Sequence, residues 1–170
     1  MRTRSQQHGF TLMELMATLA IITILAAIAY PSFTDMIERN RLKGAAEGLF
    51  GDMEFAKSEA IKRNEVITVT TTTGGSWGYN IARPDTTVLK SVGVGDFRGV
   101  TLFSANNGGT LTIDPVRGTT SGISIKFVRD SDTNQSLCLV VSDLGRIKIC
   151  SGNASSSVVG YKPCQVASCQ

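Results

Sequence analysis

FTLMELMATLAIITILAAIAY, residues Phe10 to Tyr30, is an apolar run that carries a single charge, Glu14. Wound as a helix, its 21 residues would extend about 31 Å at 1.5 Å per residue, which matches the ~30 Å hydrocarbon thickness of a bilayer. The stretch before it, MRTRSQQHG, is polar and basic. That asymmetry keeps the N-terminus cytoplasmic and carries everything after Tyr30 across the membrane. An ordinary secretory signal peptide has the same outline, and Ala27-Ile28-Ala29 offers it a small-x-small cleavage site. Glu14 separates the two readings. A carboxylate costs about 2.5 to 3.5 kcal/mol at the centre of a membrane helix, less towards the interface. A helix that is kept must find that acid a partner, whereas a discarded peptide has no use for it.

Past Pro31 the pattern changes. Phe33, Met36, Ile37, Leu42, Ala45, Leu49, Phe50, Met53, Ala56, Ala60 and Ile61 recur at steps of three and four, one face of an amphipathic helix. Between them lie charges of both signs, among them Glu38, Glu47, Asp52, Lys57, Glu59 and Arg63, which read as a solvated face. The spacing predicts one helix from Phe10 to about Arg63, with a kink at Pro31 and weak points at Gly44, Gly48 and Gly51.

From Val66 the period becomes two. Val66–Thr73 is rich in β-branched residues, and Gly74-Gly75 supplies a turn. Further strands are expected at 77–82, 88–92, 100–103, 111–113, 123–128, 137–142 and 146–150. Short strands joined by Gly, Asn and Asp turns argue for an antiparallel sheet with one face covered by the helix.

The four cysteines, Cys138, Cys150, Cys164 and Cys169, cluster at the C-terminal end, and the only histidine is His8. Without paired CxxC spacing or further histidines, a zinc site is not indicated, whereas disulfides suit an exported domain. The formal charge of +3 is too small to imply polyanion binding by bulk, so any such case must be local.

One local case is a hairpin. A three-residue turn, Asp143-Leu144-Gly145, with Gly145 at positive φ, sets Ser142 opposite Arg146, Val140 opposite Lys148 and Cys138 opposite Cys150. Alternation then sends Leu137, Leu139, Val141, Ile147 and Ile149 to the core face, which makes the register self-consistent. Opposed cysteines on neighbouring strands predict Cys138–Cys150, leaving Cys164–Cys169 to close a tail loop; Cys150 with Cys164 stays open as the pairing that staples the tail to the sheet. The outer face carries Arg146 and Lys148, with Lys126 joining them if its strand lies alongside, and Lys162 on the tail. Cations fixed on a rigid hairpin suit phosphates. The competing reading is that charges on an edge hairpin guard against aggregation.

Gly9-Phe10-Thr11-Leu12-Met13-Glu14-Leu15 resembles the signature of type IV pilins and pseudopilins, in which a prepilin peptidase cuts after the glycine and methylates the new N-terminal residue. Phenylalanine after the cut, glutamate as fifth mature residue, Pro31 near the end of the apolar run and the short basic leader all coincide. The resemblance implies cleavage at Gly9, N-methylation of Phe10, and pairing of the freed ammonium with Glu14 of a neighbouring subunit, which relieves the desolvation of both charges only on assembly. Pairing of Glu14 with its own terminus, or snorkelling to the headgroups, is the alternative.

Residues 111–118, 122–125 and 140–150 resemble the C-terminal half of the GspH/FimT group of minor pilins and pseudopilins. In FimT-type minor pilins of naturally transformable bacteria a Gly-Arg-x-basic element at this place is associated with binding incoming DNA, and Gly145-Arg146-Ile147-Lys148 fits it. The resemblance implies an α+β, type IV pilin fold, with a leader at 1–9, a transmembrane and assembly helix at 10–30, its amphipathic continuation at 31–63 and a β-rich ectodomain at 64–170. It implies a single-pass subunit of the bacterial inner membrane with a periplasmic ectodomain, later part of a pilus on the cell surface. Its expected partners are other pilin subunits, the prepilin peptidase and double-stranded DNA, held non-specifically through Gly145, Arg146, Lys148, Lys126 and Lys162 for uptake in natural transformation. The alternative is a structural minor pseudopilin of a type II secretion system with protein partners only. No cofactor, metal or enzymatic activity is expected: beyond the leader there is no histidine, no nucleophile elbow and no phosphate-binding glycine loop.

Overall fold

A computed structural model describes residues 10–106, 109–152, 157–165 and 169. The apolar run and its continuation form one helix, α1, Leu12–Arg63, with Pro31 inside it. Two compact units result, Met1–Ile37 and Glu38–Gln170. In the first, the helix is long and apolar enough to cross a membrane. Its large side chains have no cover: Phe10, Leu12, Met13 and Ile28 are all more than two-thirds exposed. A helix that is apolar all round is stable only inside lipid or among other helices.

In the second unit the stripe Leu42, Ala45, Ala46, Leu49, Met53, Ala56 and Ala60 is buried. Each buried Leu or Met stabilises by about 1.5 to 3 kcal/mol, so this face fastens the helix to the strands. The strands are β1 Ile67–Thr72, β2 Gly78–Ala82, β3 Val88–Gly93, β4 Val100–Ala105, β5 Thr110–Ile113, β6 Ile123–Arg129, β7 Asp132–Val141 and β8 Ile147–Ser151. They form two four-stranded antiparallel sheets, β3-β2-β1-β5 and β4-β6-β7-β8, where the sequence pattern led us to expect one. The split arises because β5 returns to pair with β1, with Ile67 opposite Ile113, while β4 pairs with β6. A 3-10 turn, Val94–Asp96, separates β3 from β4.

Trp77, just before β2, joins the two sheets. Its indole N–H donates to the Val100 carbonyl at 2.7 Å, and its ring stacks on Phe97 and meets Phe127 edge-on. Phe97 in turn rests on the helix at Gly44 and Gly48, where a Cβ would lie 3.7 and 3.3 Å from its ring. These glycines, read from the sequence as weak points, are the seat of an aromatic side chain. Asp52 and Glu59, expected on the solvated face, are buried. Asp52 accepts from the Tyr79 hydroxyl at 2.7 Å and from Lys90 at 2.5 Å, which ties α1 to β2 and β3. Burial, then the Asp52 carboxylate, pushes the Tyr79 hydroxyl well above the usual phenol range. Glu59 is held below the ordinary carboxylate range chiefly by its hydrogen bond from Arg63.

Candidate nucleic-acid interface

The β7–β8 hairpin has the register read from the sequence: Cys138 opposes Cys150, Val140 opposes Lys148, and the Ser142 N–H donates to the Arg146 carbonyl at 3.0 Å. Leu137, Leu139 and Val141 are buried in the core, and Ile147 and Ile149 pack against it. Gly145 takes a φ of +71°. A Cβ there would also collide with the Gly118 carbonyl oxygen, so glycine is required twice, by the turn and by the neighbouring loop. The Lys57 ammonium donates to the Gly145 carbonyl at 3.0 Å, fixing the turn to α1.

The bridges differ from the expected pair. Cys138 is joined to Cys169, with Cα atoms 5.8 Å apart, and Cys150 to Cys164 at 5.0 Å; Cys138–Cys150 and Cys164–Cys169 do not form. The register of Cys138 and Cys150 holds, but they occupy a hydrogen-bonded pair of the ladder, where side chains are held farther apart than at the alternating sites. The tail supplies the partners instead. The Ser151 N–H donates to the Lys162 carbonyl and the Cys164 N–H to the Ser151 carbonyl, both at 2.8 Å, which lays residues 162–164 beside the end of β8. Three of the sulfur atoms, of Cys138, Cys164 and Cys169, lie within 4.8 Å of one another. All four cysteines are bonded in disulfides, so they act as staples.

The tail and the hairpin enclose a cleft of about 960 Å³, lined by Arg146, Lys148 and Lys162 together with Phe50, Leu144 and Tyr161. Arg146, Lys148 and Lys162 are exposed, and among the described residues their side chains make no ion pair. Two residues apart on extended chain, Arg146 and Lys148 sit roughly 6.6 Å apart on one face. Tyr161 donates its hydroxyl to the Glu47 carboxylate, holding the far wall on α1. Burial, then that carboxylate, pushes its hydroxyl up to about 12.

Lys126 does not join the cleft. Its strand does lie alongside, with Ile125 and Phe127 buried. However, Lys126 pairs with Cys138 in the row that holds the bridges, about 10 Å from β8 at two strand spacings. Cys169 is bonded to Cys138 on the strand between them. Lys57 and Tyr161 were missed in the sequence, since neither carries a local signal for a contact so distant along the chain.

Gly9 lies outside the described residues. Phe10 is exposed. Glu14 is in the first turn of α1, and its backbone N–H donates to the Thr11 hydroxyl at 3.2 Å. Thr11-Leu12-Met13-Glu14 thus carries a capping-box pattern at the helix start, where the dipole also favours an acid.

The family described as Type II transport protein GspH matches residues 45–145, and a prokaryotic N-terminal methylation motif matches residues 4–30. A fimbrial protein of Pseudomonas aeruginosa is 32% identical over 120 residues, covering 71% of this chain and 74% of its own. The pilin-like protein PilA1 of Thermus thermophilus is 28% identical over 71% of this chain and 76% of its own. In fold, the chain is similar to the type IV minor pilin FimU of Pseudomonas aeruginosa, with a TM-score of 0.54 at 24% identity over 67% of this chain and 91% of that one. With an apolar N-terminal helix, antiparallel sheets packed on its continuation, and a family match over more than half its length, the chain belongs to the GspH family, as a type IV minor pilin or pseudopilin of the GspH/FimT group.

Proposed function

We propose that this chain is a minor type IV pilin that captures double-stranded DNA, without sequence preference, for uptake in natural transformation. Three cations without ion partners among the described residues, Arg146, Lys148 and Lys162, converge on one cleft of a stapled hairpin, and this observation carries the reading. Charges held in place lose little entropy on meeting phosphates, and phosphate contacts carry no sequence information. The methylation motif supports cleavage after Gly9 and methylation of Phe10. The exposed apolar helix supports a single span of the inner membrane, then transfer into a filament where Glu14 meets a neighbour's N-terminal ammonium.

The test is a titration of the full-length chain in detergent micelles with duplex DNA at rising salt. Contacts to three phosphates predict a slope of log K against log salt of about −2.7, and Arg146→Gln with Lys148→Gln should lower its magnitude by about 1.8. No binding at low salt, or unchanged binding by the double variant, ends the DNA reading. A secretion pseudopilin with protein partners only is the second reading. It is favoured by Leu144, an exposed apolar residue at the tip beside Arg146. For assembly, Glu14→Ala should leave the ectodomain folded and keep the chain out of filaments; normal incorporation would remove the role of Glu14.

A further inference from the structure

We infer that the free edge of β8 is a docking site for an extended segment of a neighbouring pilin subunit that alternates apolar and acidic residues. The starting point is the direction of the backbone groups. In the β7–β8 ladder the hydrogen-bonded pairs are Ser142 with Arg146 and Ser136 with Gly152. Strict alternation places Val140 with Lys148 and Cys138 with Cys150 in the same class. Ile147, Ile149 and Ser151 therefore point their N–H and C=O away from β7. Ser151 confirms the direction, because both its outward groups are taken by the tail at Lys162 and Cys164. Among the described residues, those of Ile147 and Ile149 have no backbone partner.

The space beside them is open. Arg146 and Lys148 on one face of β8, and Ile147 and Ile149 on the other, all line the same cleft. Only a cleft that runs along the free edge can touch both faces of a strand. The described part of the tail pairs with β8 only at Ser151: the Tyr161 N–H closes a turn onto the Val158 carbonyl and does not continue the pairing towards Ile149. An unpaired edge is a template for another strand.

Charge selects which strand. A second β8 would bring Arg146 and Lys148 against their own kind, so two copies resist pairing through this edge. An added strand places alternate side chains beside Arg146 and Lys148, where acids are favoured, and the others beside Ile147, Ile149 and Phe50, where apolar groups are. The recognition pattern is thus acidic and apolar residues in strict alternation, over the short span from Ile147 to Ile149.

The inference does not rest on DNA binding, and its test is separate. The full-length chain in micelles is titrated with a capped heptapeptide of alternating Glu and Val, and with the same peptide N-methylated at every amide. The plain peptide is expected to bind and to slow amide exchange at Ile147 and Ile149, and the methylated one to lose about tenfold or more in affinity, since its charges remain while its donors are gone. Arg146→Glu with Lys148→Glu should reject this peptide and accept one of alternating Lys and Val. Binding without protection of those two amides, equal binding of the methylated peptide, or no binding overturns the proposal. So does a self-associated dimer, or duplex DNA, that protects the same amides in place of the peptide.

Discussion

The ammonium of Lys57 donates to the carbonyl oxygen of Gly145 at 3.0 Å, although the two residues lie 88 positions apart. The turn that presents Arg146 is therefore held by the helix as well as by its own hairpin. A hydrogen bond from a charged donor is worth about 1.5 to 3 kcal/mol, and partial exposure brings this one towards 1. Lys57→Met should lower stability by about 1 kcal/mol in urea unfolding and speed amide exchange at Arg146. Gly145→Ala adds left-handed strain to a collision with Gly118 and should cost at least ~2 kcal/mol.

Two glycines one turn apart on α1 should respond with opposite signs. Gly51 has open space around it, so Gly51→Ala gains helix propensity and should stabilise by about 0.5 to 1 kcal/mol. Gly48 faces Phe97 at 3.3 Å; Gly48→Leu should lift that ring off the helix, costing about 1 to 3 kcal/mol. Thermal unfolding of the two variants reads the sign directly, and Trp77 fluorescence reports the displaced ring stack.

Peptide mapping without reduction, with fragmentation between Cys164 and Cys169, should recover Cys138 joined to Cys169 and Cys150 joined to Cys164. Recovery of Cys138 with Cys150 would reverse the assignment. Replacing both Cys150 and Cys164 by serine opens a loop of sequence separation 14 and should cost about 3 kcal/mol by chain entropy. It should also weaken binding at the cleft, because Lys162 is then held beside β8 only by the backbone hydrogen bonds to Ser151.

Tyr161 gives the tail a signature in alkaline solution. Its hydroxyl, pushed up to about 12 by burial and by Glu47, stands above the ordinary value near 10. The folded state then holds the proton more tightly than the unfolded one. The stability this provides is complete below pH ~10 and is lost as the pH rises towards 12. Ultraviolet titration should lose one phenol ionising near 12 in Tyr161→Phe, and in Glu47→Gln that midpoint should fall. A Tyr161 midpoint near 10 in the unmodified chain would mean the tail is not docked.

Much of this architecture was readable in the chain because it rests on local periodicity. The step of three and four from Leu42 to Ala60 gave the buried helix face, and alternation from Leu137 to Cys150 gave the hairpin register to the residue. What was not readable depends on contacts between distant segments. Nothing in Thr110–Ile113 says that it will return to β1, so the two sheets looked like one. The placing of residues 162–164 beside β8 is set by Ser151, whose outward backbone groups carry no mark in the side-chain pattern. Asp52 is the exception, since its spacing from Leu49 and Ala56 already put it on the buried stripe, and only its charge argued otherwise.

The link from Cys138 to Cys169 also sets how the chain yields to tension. A pull between the helix and the C-terminus passes through the covalent sulfur bond, so the 31 positions it spans are excluded from any lengthening. Freed by reduction, they would release about 100 to 110 Å at full extension. An oxidised subunit can therefore lengthen only through the residues that precede Cys138, and the segment that carries β8 bears none of the pull.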